Sequence, residues 1–551
     1  MIICYTFPII LRKGWDLVMI PFRRFGTMID CSRNAVMNVP TMKKWMDISA
    51  SLGYSAVFIY IEDTYEIPEE PFFGYCRGRY TQAELRELDA YAKSKGLELI
   101  PCMQTLAHVN AITRWPTYWP IIDTGDILLA GEERTYELVD RMFASLASCL
   151  STKVINVGMD EAEMIGRGKY YNKHGDRNKS QILIEHVQKI CEIAKKYGFT
   201  LCMWSDMFFK LVVGEYYKAT EINEEVRAQI PDNMQLCYWD YYSRDKKRYD
   251  GMMKAHAKIK DNTWFAGGLW SWIGFAPDNE FSMKATNASL SMCRKNNIQD
   301  VFLTMWGDNG GECSKFSLLP ALFYASEIAK GNNKKSDIKK KFQETFGISF
   351  DTFMNMDMKK GMRPGEDPVN PDKYLFYNDP FTGIHDTTLV GNEGEIFKSF
   401  AKKLGKGKKH PEWGYLFTSM QALADFLSVK ADLGVRTRKA YASKDAGELA
   451  DVIARYKLAS KKLKAYHKAY KVQWFKENKP HGFDIQDMRM GGLMQRLESC
   501  RERLEAYAAG AVDCIPELEE KQLPFTVDGS EFKPQATLYN TYGGSSSANV
   551  L

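Results

Sequence analysis

The dipeptide Asp160-Glu161 closes the apolar run KVINVGM at 153–159. Adjacent carboxylates at a strand end diverge as the strand breaks into its loop. One can then protonate a glycosidic oxygen while the other addresses a different part of the same sugar. An Asp-Glu pair is common, and one member could simply cap the next helix. Its company gives it weight. Seven other apolar runs also end in polar or aromatic groups: Asp30 and Arg33, Glu62-Asp63, Gln104 with His108, and Trp204 with Asp206. The later ones deliver Tyr238-Trp239-Asp240, Trp270 and Trp272, and Trp306 with Asp308. Carboxylates alone could be metal ligands. The run of strands holds no HxH pair, however, and of the chain's 8 His only His108 sits at a strand end, so no metal and no cofactor is expected. Carboxylates among Trp and Tyr faces suit glycoside hydrolysis, with ring faces stacking on the sugar.

These groups need a scaffold that brings strand ends together. The candidate strands are 27–30, 55–63, 97–105, 153–161, 199–206, 234–240, 264–270 and 300–308. They are rich in Val, Ile, Leu and Phe without alternation, as strands buried on both faces are. Amphipathic stretches fall between them at 41–52, 81–95, 132–150, 180–197, 248–260 and 281–295, the 180–197 stretch with Ser180 as its N-cap. Eight strands with intervening helices over this length predict an α/β fold of the (β/α)8 TIM-barrel type, in which eight loops converge at the strand C-termini. An open doubly wound sheet is disfavoured, because no Gly-rich phosphate fingerprint follows the first strand. Beyond Pro320 the pattern turns helical and rich in Lys, Ala, Leu and Glu. The expected division is a lead-in at 1–25, a catalytic barrel at 26–319, a mainly α-helical C-terminal domain at 320–520, and a frayed tail at 521–551.

Composition sets the outer bounds. The 551 residues carry 74 Lys+Arg and 69 Asp+Glu, a net +5 that argues against nucleic acid as a partner. The basic run KKLGKGKKH at 402–410 reads as a solvated loop. With 45% hydrophobic and 26% charged residues, the chain is that of a globular protein. The 12 Cys form no CxxC pair and read as buried thiols in a reducing compartment. The opening MIICYTFPIILRKGW makes a poor signal peptide, and no segment is long and apolar enough to span a bilayer. No membrane partner and a cytoplasmic location are therefore expected.

The stretch VINVGMDEAEMIGRGKYYNKHG resembles the catalytic segment of glycoside hydrolase family 20, the β-N-acetylhexosaminidases. The resemblance is to a branch without the extra N-terminal domain and with a helical C-terminal one. GTMIDCSRN at 26–34, IYIEDTYE at 59–66, His108, MWSD, CYWDYY, LWSW and MWGDNGGECS support it, as does ENKPHGFDIQDMRMGGLMQR at 477–496. It covers about residues 26 to 500.

This resemblance implies exo-acting removal of terminal N-acetylglucosamine or N-acetylgalactosamine by a retaining, substrate-assisted mechanism, with a glycan as the partner. Glu161 would be the general acid/base. Asp160 would bond the acetamido N–H, and the substrate's own acetamido oxygen would attack the anomeric carbon. Arg33 would fork onto sugar hydroxyls, its alternative being an ion pair with Asp30 or Asp63. His108, oriented by Asp63 or Glu62, would adjust the protonation of Glu161. Trp204, Trp270 and Trp306 are candidates to enclose the acetamido methyl, and Tyr238 to donate to the acetamido oxygen. Asp240, Asp308 or Glu312 could accept from sugar hydroxyls. Trp239 and Trp272 read as core, while Trp115 and Trp119 line the leaving-group side or simply pack their loop. A homodimer is also implied, in which helices or the loop YNDPFTGIHD at 377–386 approach the partner's site. Two other readings stay open: a barrel β-glycosidase with two enzyme carboxylates, and a non-catalytic sugar-binding protein.

Overall fold

The computed structural model describes residues 20–218, 224–359, 361–362, 367–525 and 535–550. The apolar opening at 1–15 and most of the expected lead-in lie outside them. Eight parallel strands close into a barrel: β1 (Arg24–Asp30), β2 (Ala56–Tyr60), β3 (Glu98–Cys102), β4 (Val154–Asn156), β5 (Thr200–Trp204), β6 (Met234–Trp239), β7 (Trp264–Gly268) and β8 (Asp300–Met305). Each strand pairs with its sequence neighbours, and β1 closes on β8 with Ile29 opposite Met305. All eight sequence-derived strands are present; the first is longer by three residues at its start, and the other seven are trimmed to their paired residues.

The helices that follow them are α1 (Val39–Leu52), α2 (Gln82–Ser94), α3 (Glu133–Cys149), α4 (Lys179–Lys195), α5 (Asp206–Val213), α6 (Lys246–Ile259), α7 (Asn279–Lys295) and α8 (Leu319–Ala329). The barrel thus runs from Arg24 through α8, wider at both ends than 26–319. Local chemistry starts these helices. Thr81 and Glu84 form a reciprocal capping box on α2. On α4 the cap is Asn178, which accepts from the N–H of Ser180 and Gln181, and not Ser180 itself, which lies inside the first turn.

Side-chain alternation divides every strand in two. Met28, Phe58, Ile100, Val154, Cys202, Cys237, Trp264 and Phe302 fill the barrel's interior. Ile29, Ile59, Leu99, Ile155, Leu201, Leu236, Phe265 and Val301 face the helices. The interior set is even-numbered on seven strands and odd-numbered on β6, a shift that decides which of the β6 residues can reach the site.

The second region is helical, with α9 (Lys335–Phe346), α10 (Pro371–Tyr377), α11 (Glu393–Leu404), α12 (Gly414–Lys430), α13 (Leu433–Ser443), α14 (Ala446–Glu477) and α15 (Phe483–Ala508). Here α12 packs between α11 and α14, and α14 against α15. The loop 377–386 packs into its own chain: Tyr377, Phe381, His385 and Asp386 are buried, and Lys430 donates to the Asn378 carbonyl at 2.7 Å. One expectation changes: the described part of the tail, 535–550, is not frayed. Asn370 bonds the Tyr539 carbonyl (2.7 Å), and Tyr542 N–H reaches Asn309 Oδ1 (3.3 Å) in the loop after β8. Its ring lies edge-on to Tyr377, beneath the Arg489 guanidinium.

Candidate active site

After β4 the chain enters an unusual conformation. Gly158, Met159 and Glu161 all have positive φ (73°, 71° and 55°), as does His108 (55°) after β3. Non-glycine residues held there are strained and persist only where surrounding bonds over-determine them. Such bonds are present. Asn156 Oδ1 accepts the Gly158 N–H (2.8 Å), Gln104 Oε1 accepts that of Met159 (3.0 Å), and Asp206 Oδ2 accepts that of Glu161 (3.0 Å). Gly158 is required twice over, by its φ and because a Cβ would collide with the Gln104 side chain.

The turn sends the two carboxyl groups to different surroundings. Asp160 is buried: Gln104 Nε2 donates to its Oδ1 (2.8 Å), and His108 Nε2 lies 3.2 Å from its Oδ2. That approach is close enough for an ion pair but not aligned as a hydrogen bond. Burial opposes the Asp160 charge, yet His108, Gln104 and Arg33 outweigh it and hold the carboxyl below its usual range. In return, burial notwithstanding, Asp160 lifts the His108 imidazole to about 9. The Glu161 side chain is half exposed, 3.6 Å from His108 Nε2. Desolvation and the Asp160 charge push its carboxyl up. The constellation therefore sets an ionised Asp160 and a cationic His108 beside a Glu161 carboxyl shifted upwards, the direction a general acid needs.

His108 is not oriented by Asp63. Asp63 is taken by Arg77, with Oδ1 3.1 Å from Nη2, because the β2 loop folds back over it. Glu62 accepts the Tyr60 hydroxyl (2.9 Å) and pairs with Arg33 (3.3 Å). The carboxylate nearest His108 Nδ1 is Asp126, at 3.9 Å. Arg33 itself has its guanidinium over the rings of Tyr60 (4.6 Å) and Trp306 (4.9 Å), with Asp30 at 3.5 Å. Rings on two sides and carboxylates on two others fix this planar donor beside Asp308, whose carboxyl is raised by burial.

An aromatic floor closes the barrel interior under these groups. Trp204 and Trp306 lie 6.1 Å apart, Tyr241 packs on Trp239 (5.3 Å, nearly parallel), and Trp270 stacks on Trp272 (4.5 Å) and donates to the Tyr241 carbonyl (2.9 Å). The odd phase of β6 corrects the expectation here. Tyr238 points outwards, packed against Phe265 and His256 with its hydroxyl on Asp240 (3.0 Å). Asp240 is held by Arg248 (2.7 Å) and caps the following turn, so neither residue faces the site. Trp239 and Tyr241 face inwards instead, and Trp272 joins them, so Trp239 and Trp272 belong to the floor. Counting by twos from Cys237 identifies them. Asp206, a strand-end residue without an assigned role above, accepts from both Glu161 N–H and Trp239 Nε1 (3.3 Å) and is pushed up to about 7 by burial and by Asp160.

Glu312 also lies elsewhere than expected. Its buried carboxylate meets Lys373 (3.0 Å), Arg489 (3.1 Å) and Tyr377 (3.3 Å), all from the helical region. It ties the loop after β8, and with it Asp308, to α10 and α15. Among the described residues no group of three or more His, Cys, Asp or Glu is placed to hold a metal ion.

A parallel barrel that gathers an acid poised for proton donation, its ionised neighbour and an aromatic floor at its strand ends is the framework of a glycoside hydrolase. Two family models match the chain: the glycosyl hydrolase family 20 catalytic domain over residues 21–250, and the glycoside hydrolase 20C C-terminal domain over residues 349–536. The chain belongs to glycoside hydrolase family 20. No curated protein sequence matches it. Solved structures that align with the chain include the exo-β-N-acetylglucosaminidase of Vibrio harveyi in complex with N-acetylglucosamine (12% identity, TM-score 0.44), over 61% of this chain and 58% of that one. The β-N-acetylhexosaminidase of Bacteroides fragilis aligns over 60% and 71% (16% identity, TM-score 0.46). The chitobiase of Flavobacterium johnsoniae aligns over 90% and 74% (16% identity, TM-score 0.45). The chain thus spans under two thirds of the Vibrio harveyi enzyme.

Proposed function

We propose that the protein is an exo-acting β-N-acetylhexosaminidase that works with retention through its substrate's acetamido group. The observation that carries this reading is the commitment of the carboxylates around Glu161. Asp160 is engaged by Gln104 and His108, and Asp206 by the Glu161 N–H and Trp239. With Asp160 and Asp206, the two described carboxylates bound around the Glu161 turn, both committed, the nucleophile in this reading comes from the substrate. Glu161 protonates the departing oxygen while the acetamido oxygen attacks the anomeric carbon to give an oxazolinium ion. Asp160 accepts from the acetamido N–H and stabilises the positive charge that develops there. Holding an intramolecular nucleophile in place supplies up to roughly 7–11 kcal/mol of the barrier. Glu161 then takes a proton from the water that opens the ring. The floor of Trp204, Trp239, Trp306 and Tyr241 suits the acetamido methyl.

The test is a panel of aryl N-acetylglucosaminide, N-acetylgalactosaminide and plain glucoside, with Glu161→Gln alongside. Turnover restricted to the acetamido sugars, with β-anomer released first, supports the reading. The variant should lose about 10²–10⁴ in kcat/KM on poor leaving groups and less on activated ones. Comparable turnover of the glucoside points instead to a second enzyme carboxylate. A homodimer and a cytoplasmic location belong to the same proposal; a monomeric mass in solution removes the first, and export of the full-length protein from cells the second.

A further inference from the structure

Six large apolar side chains of the described barrel residues are exposed: Phe72, Tyr75, Trp119, Met164, Tyr171 and Tyr242. All six lie in the connections that follow the C-terminal ends of strands, the end that carries Glu161, Trp119 in the short 3-10 helix Pro116–Ile121 and Tyr171 in the short helix Lys169–His174. Among them, none lies on the long helices α1–α8. Chance exposure would scatter them; concentration on one rim marks a contact surface.

The tightest group joins two loops. Phe72 and Tyr75 follow β2 and Trp115 follows β3, with ring centroids 5.4 Å (Phe72–Trp115), 5.4 Å (Tyr75–Trp115) and 6.2 Å (Phe72–Tyr75) apart. The rings are held in place. Glu70, buried two residues before Phe72, pairs with Arg134 (2.7 Å) and Arg141 (2.6 Å), and Arg79 donates to the Phe73 carbonyl. Phe73, the residue after Phe72, lines one small cavity together with His108 and Gln104, so the chain that carries Phe72 runs past the His108 side of the site. Exposed Glu69 and Arg114 flank it.

We infer that Phe72, Tyr75 and Trp115 form a leaving-group platform on which pyranose rings of an oligosaccharide stack. The inference rests on the glycosidase reading above and extends it to the substrate's class. Fixed rings lose little entropy on binding, and polar neighbours match the hydroxyl rim of a sugar better than they match an alkyl chain.

The experiment uses the full-length protein with an aryl N-acetylglucosaminide, β-linked N-acetylglucosamine oligomers of two and four sugars, and an octyl N-acetylglucosaminide. Trp115→Ala and the double variant Phe72→Ala/Tyr75→Ala should each lower the ratio of kcat/KM on the four-sugar oligomer to that on the aryl glycoside about tenfold, the size of one stacking contact. The effect should fall in KM. An unchanged ratio overturns the inference, and so does a larger loss on the octyl glycoside. If the wild type cleaves no N-acetylhexosaminide, the glycosidase reading fails on its own. The platform is then judged by calorimetric titration of the four-sugar oligomer into Glu161→Gln with and without Trp115→Ala: weaker binding with the second change supports it, equal binding overturns it.

Discussion

Asp206 accepts the backbone N–H of Glu161 at 3.0 Å, so a carboxylate at the end of β5 fixes the left-handed residue that carries the acid after β4. The contact runs between neighbouring strand ends and takes nothing from the Glu161 carboxyl. Asp206→Ala leaves that N–H unpaired in a largely buried turn, at a cost of about 1–3 kcal/mol. We expect a lower Tm and a kcat reduced about tenfold or more with KM little changed. Asp206→Asn, which keeps an accepting oxygen, should recover most of the Tm. Equal loss in both variants would show that the charge, not the bond, is what matters.

His108 sets the pH range. Its charge holds both carboxyls of the pair down, so removing it in His108→Gln should raise both. The proposed mechanism needs Asp160 ionised and Glu161 protonated. Both limbs of the kcat/KM profile should therefore move to higher pH, and a profile that narrows or stays in place contradicts this electrostatic role.

The same pair links pH to stability. His108 is raised from 6.5 to about 9, so its contribution is fully present below about 6.5 and lost as pH climbs through about 9. Asp160 is lowered, so its contribution is present above its ordinary value near 4 and lost as pH falls through the depressed one. The difference in Tm between wild type and His108→Gln should be largest between about pH 4 and 6.5 and shrink towards pH 9.

Tyr241 and Tyr238 make a matched comparison. Tyr241→Phe alters a ring of the interior floor that can offer a hydroxyl to substrate, and kcat/KM should fall on the order of a hundredfold with Tm nearly constant. Tyr238→Phe removes a buried bond to Asp240, and should lower Tm with kcat/KM within about twofold. The opposite pattern would mean that the odd phase of β6 is misassigned.

Lys373→Met tests the join between barrel and helices. It leaves Glu312 with only Arg489 and Tyr377 in a fully buried pocket, and removing one partner of such a pair costs about 3–5 kcal/mol. Thermal unfolding should show a large drop in Tm, whereas Lys398→Met on the exposed face of α11 should not move it.

The barrel was legible because a strand buried on both faces has an unmistakable composition, and eight of them were in sequence. The candidate pair Asp160-Glu161 was legible because it terminates one. Direction and partnership were not. Whether Tyr238 or Tyr241 looks inwards depends on the register, in which Cys237 lies opposite Trp204 and Trp264 and so turns the odd-numbered residues of β6 to the interior. Asp63 was credited with His108 although Arg77, fourteen residues on, folds back to claim it. Glu312 resembled a sugar-binding carboxylate, but its partners Lys373 and Arg489 come from another region of the chain, and no local pattern announces them. The tail's Gly and Ser suggested fraying, while Tyr539 and Tyr542 within it supplied the anchors.

The anchoring of that tail bears on how the protein comes into being. Closing the barrel already requires β1 to wait for β8, about 275 residues later at the ribosome. The loop after β8 must wait longer still, since the residues that grip Asn309 and Glu312 include Lys373, Arg489 and finally Tyr542. A nascent chain halted before Tyr542 would hold a barrel whose rim after β8 still lacked one of its ties.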